Sequence, residues 1–166
     1  MDSHLQRLQD EVTAAVNVMS ANDLVGPSNG KWSAAEVFEH LYLTYTATVK
    51  GLNRCLEQGK PLAGSPTFND RMKAAIVTRL NYMPKGAKGA ARLMPRGKPA
   101  EEVAKNIGVQ ISVMDDAFTQ CEVRFGRNAR LLDHPILGPL TAHEWRKFHL
   151  VHGRHHLKQV KRLRGE

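Results

Sequence analysis

The sequence predicts an all-α protein: one domain over residues 1–166, built as a four-helix bundle with a long crossover between its second and third long helices. Three observations predict this. Apolar residues recur at spacings of three and four in four long segments, alternating β-branched runs are lacking, and residues 60–98 separate the second long segment from the third.

The first segment, roughly residues 3–20, carries Leu5, Leu8, Val12, Val16 and Met19 on one helical face and stops at the turn-rich GPSNG. In the second, Ser33 and Glu36 form a capping box that starts a helix. Its apolar stripe runs through Val37, Leu41, Thr44 or Tyr45, Ala47 or Thr48, and Leu52 to Leu56, and Gly59 and Pro61 end it. Around a short helical stretch, FNDRMKAAIVTRLNYM, the pattern then loosens. Antiparallel neighbours need only a few connecting residues, so a link this long suggests a crossover between helices that run the same way. The third long helix, roughly 99–123, places Val103, Ile107, Ile111, Met114 and Phe118 on one face. The stretch FGRNARLLDHPILGPLTAHEW reads as a loop, and a second capping box, Thr141 with Glu144, opens a last helix that continues to about Leu163.

A chain of 166 residues can bury a core without disulfides, and Cys55 and Cys121, far apart in two apolar-periodic segments, read as reduced thiols rather than a disulfide or thiolate metal site. The polar N-terminus MDSHLQRLQDEV is unlike a signal peptide and no stretch approaches a membrane span, so a cytoplasmic protein without membrane contact is expected. The net charge of +8 raises the question of an anionic partner. Its carriers, including Lys85, Lys88, Arg92, Arg96, Lys98, Arg124, Arg127, Arg130, Lys158, Lys161, Arg162 and Arg164, fall in no recognition-helix, zinc-finger or aromatic RNA-binding motif. A solvated surface accounts for most of them, and nucleic acid is not the expected partner.

The last helix reads EWRKFHLVHGRHHLKQVKRL, and on it Trp145, His149, His152, His156 and Leu163 share one stripe while His155 lies off it. A stripe that should bury apolar side chains carries imidazoles. His152 and His156, four residues apart, stack on one face so that two ring nitrogens can converge on one ion. His40, at the edge of the second helix's buried stripe, is the natural third ligand. Three neutral nitrogens leave coordination positions open, as in catalytic rather than closed structural sites, and they suit zinc, nickel, copper and iron alike. Histidine pairs of this spacing also occur on helices without metal. His4, His134 and His143 read as surface residues.

These residues carry a family resemblance. WSAAEVFEH from Trp32 to His40, HPILGPLTAHEW from His134 to Trp145, and HGRHHLKQV from His152 to Val160 together resemble the DinB-like superfamily, in the right order and across nearly the whole chain. The resemblance implies a bundle with an up-down-down-up course, and a divalent metal, typically zinc or nickel, held by His40, His152 and His156. It also implies a metal-dependent enzyme of thiol S-transferase type, which brings a low-molecular-weight thiol of the bacillithiol or mycothiol kind to a small electrophilic substrate. The family is associated with the stress response.

Gln159, one turn beyond His156, is a candidate partner for an imidazole, and its alternative is a polar helix edge. His149 is a candidate for the same outer layer or a pocket, with packing inside the helix bundle as its alternative; Trp32 and Trp145 could line the mouth of the site, but as residues that follow a loop into a helix they are read as packing the bundle ends. No carboxylate is placed as a general base, since Glu36 already caps its helix. Two other functions stay open: a metal-dependent hydrolase, and a basic nucleic-acid-binding or stress-response module without catalysis. Leu43 and Leu150, read on faces away from the core, would be covered in a homodimer.

Overall fold

The computed structural model describes residues 1–25, 32–80 and 91–165. The GPSNG turn, Lys85, Lys88 and the end of the short helical stretch at Asn81–Met83 lie outside them. The chain is mostly helical: α1 (Ser3–Asn17), α2 (Ala21–Val25), α3 (Ala34–Gln58), α4 (Phe68–Leu80), α5 (Ala100–Phe125) and α6 (Ala142–Leu163), with a 3₁₀ turn at Ala91–Leu93.

Local chemistry sets the boundaries. Both capping boxes form: Ser33 Oγ accepts from the Glu36 N–H while Glu36 accepts from the Ser33 N–H, and Thr141 and Glu144 repeat the exchange. Helix α3 ends at Gly59, whose φ of 66° is the left-handed cap that lets the Lys60 N–H reach the Cys55 carbonyl.

The long helices pack through the apolar faces that periodicity picks out. Leu5, Leu8 and Val12 of α1, Val37, Leu41, Tyr45 and Leu52 of α3, and Val103, Ile107, Ile111, Met114 and Phe118 of α5 are all buried. Contacts between helices give their relative directions. Gln9 bonds to the Gly108 carbonyl and Asp2 to Asp115, so α1 and α5 run oppositely. Glu39 lies level with Lys98 and Leu52 with Cys121, so α3 and α5 run the same way. Between α5 and α6, the buried Arg146 guanidinium is held by Asp115, Glu122 and Thr119 at 2.7, 2.7 and 3.1 Å. That full set of partners is what makes a buried cation tolerable.

The structure corrects the loop reading before α6. Arg130–His134 (β1) and Gly138–Thr141 (β2) form an antiparallel hairpin with a register shift between Arg130 and Leu132. Its turn is closed by His134, whose Nδ1 accepts from the N–H groups of Ile136 and Leu137 at 3.2 and 3.1 Å. Tertiary anchors hold the ribbon: Leu132 lies on Gly51 of α3, the Leu131 carbonyl accepts from Leu62, and Trp145 Nε1 donates to the Leu132 carbonyl. Strand propensity was low because this ribbon's stability comes from those anchors. Leu150 is a second correction. It is buried, because α1, α3, α4 and α5 all pack on α6 and leave little of its surface free. Leu43 is half-buried. Among the described residues, no helix is long and apolar enough to cross a membrane.

Candidate metal centre

His40 lies near the start of α3, while His152 and His156 lie in the C-terminal half of α6. The packing of these two helices brings the three imidazoles together. His152 Nε2 is 3.1 Å from His156 Nε2 and 3.4 Å from His40 Nε2. Two nitrogens each about 2.1 Å from one ion are separated by about 3.0 Å at a right angle and about 3.4 Å at the tetrahedral angle. The observed spacings are those of ligands to a shared ion, and this half-buried to buried group could hold one.

The outer nitrogens support the same conclusion. His40 Nδ1 donates to the Leu93 carbonyl at 2.8 Å, and His156 Nδ1 donates to Gln159 Oε1 at 2.9 Å. A ring that donates from Nδ1 presents an Nε2 lone pair, so two lone pairs face the third ring. A cation shared by the three Nε2 atoms would satisfy these lone pairs. Such donation to a carbonyl or amide is also how ligating histidines are usually held in orientation. His152 Nδ1 is buried with no partner among the described residues. Burial pushes the pKa of all three imidazoles down, His156 to about 4, with the neighbouring rings lowering His152 and His156 further. They are neutral at physiological pH, the state that binds metal.

Trp32 covers this triangle, with its ring centroid 4.9 Å from His40 and 6.2 Å from His156, nearly parallel to the latter. Its half-buried indole packs against the core, as the bundle-end reading has it, and also borders the three imidazoles. Gln159, the candidate partner for an imidazole, accepts from His156, and its amide N–H also donates to His155 Nε2 at 3.2 Å. His149 is fully buried one turn before His152; its Nε2 lies 3.2 Å from Thr48 Oγ1, and burial takes its pKa to about 3. Trp145 stacks on His149 and meets His134 at a tilt and Phe148 edge-on, so it supports the hairpin and the base of α6.

Reading His134 as a surface residue is corrected. Its ring packs on Phe148 at 4.4 Å, and burial takes its pKa to about 4. His4 is half-buried beside Asp2, whereas His143 is exposed.

Glu39 is the functional neighbour that sequence reasoning missed. Its buried carboxylate accepts from the backbone N–H groups of Arg96, Gly97 and Lys98 at 2.8, 3.0 and 3.1 Å. Gly97, at φ 81°, supplies the left-handed turn that aims successive N–H groups at one anion. Consecutive residues of α3 thus grip one strap: His40 takes Leu93, and Glu39 takes residues 96–98. The only advance signal was Gly97 between two basic residues. A cavity of about 650 Å³ lies elsewhere, lined by Asp2, Asp115, Glu122 and Arg146, whose charged groups already bond one another.

No curated protein and no solved structure matches this chain. Residues 2–163 match the family model described as a protein of unknown function, DUF1569, and with nearly its whole length matched the chain belongs to that family.

Proposed function

We propose that the protein is a divalent-metal-dependent enzyme of thiol S-transferase type, with zinc or nickel on His40, His152 and His156, in an up-down-down-up bundle resembling the DinB-like superfamily. The observation that carries the reading is the convergence of three Nε2 atoms while two of the outer nitrogens are anchored. The co-directional α3 and α5, joined by a long link, support the bundle course.

A bound divalent ion would supply Lewis acidity, which lowers the pKa of a thiol enough to make thiolate available near neutral pH. In the overall transfer the thiol gives up its proton, its sulfur bonds the electrophilic carbon, and the displaced group leaves with the bonding pair. The chain's own residues prepare the site. The Leu93 carbonyl and Gln159 fix two imidazoles with their lone pairs inward, and Trp32 limits water on one side. Glu39, with three N–H donors on it, is poorly disposed to act as a base. A metal-activated thiol and a metal-activated water both dispense with such a base, so a requirement for thiol is what separates transfer from hydrolysis.

Untagged protein purified from metal-supplemented cells should carry about one metal per chain, lost in His152→Ala and His156→Ala while the helical circular dichroism persists. Turnover of an electrophile only in the presence of a small thiol supports transfer. Thiol-independent ester cleavage supports a hydrolase, and a metal-free wild type rejects both.

A further inference from the structure

The net charge of this chain has one address. Between Arg71 and Ala100 there are eight basic residues and no acidic one, so the rest of the chain, with sixteen of each sign, is balanced. This acid-free stretch makes up most of the link between α3 and α5, and its last part is the strap held through His40 and Glu39. A solvated surface needs no such segregation.

The pairing around the centre sharpens the point. On the strap, Lys98 is paired with Glu102 at 3.1 Å, whereas Arg92 and Arg96 are exposed and have no carboxylate partner among the described residues. Arg96 folds back to the Arg92 carbonyl at 3.3 Å, so its guanidinium lies beside Leu93, whose own carbonyl holds His40. The carboxylates here are engaged: Glu36 by its capping box and Glu39 by three backbone N–H groups. The strap against the three neutral imidazoles is therefore positive, and the carboxylates nearest it on α3 are not free to neutralise it.

We propose that the small molecule brought to this centre is an anion, a thiol or electrophile bearing a carboxylate or phosphate, and that Arg92 and Arg96 on the strap bind that charge. This rests on the metal reading above. Arginine suits the role because its fork matches carboxylate and phosphate oxygens. A small ligand is favoured over a nucleic acid because Arg92 and Arg96 sit on a short strap bonded to His40 beside an imidazole cluster under Trp32, and fall in no recognition-helix or RNA-binding motif.

Cobalt(II) is the probe, read by its visible absorption. The cobalt-loaded protein is titrated at low salt with 3-mercaptopropionate, 2-mercaptoethanol and 2-mercaptoethylamine, which are anionic, neutral and cationic, and with a twenty-base-pair DNA duplex as competitor. Expected is at least about tenfold tighter binding of 3-mercaptopropionate than of the neutral thiol, a margin that shrinks in 0.5 M salt, roughly the screening limit for exposed charges. In Arg92→Ala/Arg96→Ala the margin disappears, and in Arg92→Glu/Arg96→Glu the order turns toward the cationic thiol, with cobalt stoichiometry and circular dichroism unchanged. Equal affinities in wild type, or a margin untouched in both variants, overturn the anion proposal and leave the metal reading standing. Tight, salt-sensitive duplex binding that displaces the thiol overturns it in favour of a polyanion. A wild type that binds no cobalt overturns both.

Discussion

His156 Nδ1 donates to Oε1 of Gln159, three residues further along the same helix, and the amide N–H of that glutamine donates to His155. One side chain thereby fixes which nitrogen of His156 carries the proton, and so which one faces His40 and His152. Gln159→Leu should lower metal affinity about 10- to 100-fold, the usual cost of losing such a partner. The melting temperature of the metal-free protein should barely move. Competition with a chromogenic chelator measures the first and calorimetry the second; an affinity within twofold of wild type would mean that the ring needs no such support.

Metal should stabilise the fold through linkage. With free metal at a hundred times Kd the gain is about 2.7 kcal/mol, a rise of roughly 5–10 °C in Tm for a chain of this size. EDTA should reverse it, and His40→Ala should abolish it. A Tm indifferent to added zinc, nickel and cobalt would fail this prediction.

Acid should destabilise the metal-free protein well before its carboxylates titrate. His134, His149 and His156 have pKa values of about 4, 3 and 4 in the folded chain, mainly through burial, against about 6.5 when unfolded. Between those values the unfolded chain binds more protons, so stability is complete above pH 6.5 and is lost as pH falls toward 4. His134 also loses the lone pair that accepts from Ile136 and Leu137. Urea unfolding in EDTA at pH 7.0 and 4.8 should show the drop. His134→Asn, whose amide oxygen can take over the acceptor role without titrating, should make it shallower; an identical slope in that variant would remove His134 from the account.

At Gly153, between His152 and Arg154, α6 meets α1 so closely that an added Cβ would overlap Leu8 Cδ1. Gly153→Ala should therefore destabilise by about 1–3 kcal/mol through overpacking. Combined with Leu8→Ala, the loss should be smaller than the sum of the two single changes. Strict additivity in a double-mutant cycle would show that α1 simply shifts aside.

The sequence carried the helices because each long helix buries one periodic face, and Ser33, Glu36, Thr141 and Glu144 write their own start signals. It carried His40, His152 and His156 because imidazoles stood where apolar side chains were due. What it did not carry depends on partners distant in the chain. Glu39 answers to backbone N–H groups 57 to 59 residues away, which have no side-chain signature. The hairpin is held by Gly51, Leu62 and Trp145, and Leu150 is buried by the number of helices around α6; neither follows from local propensity.

The grip of Glu39 and His40 on residues 93–98 also bears on how the chain opens. Most of this strap has no regular secondary structure, so its amide protons would ordinarily exchange with solvent in milliseconds to seconds. Those of Arg96, Gly97 and Lys98 point instead into the buried carboxylate of Glu39 on α3. They can exchange only when α3 and the strap part, an event that also pulls the Leu93 carbonyl from His40. The slow amides of an irregular loop would thus count how often the three-histidine cluster comes apart.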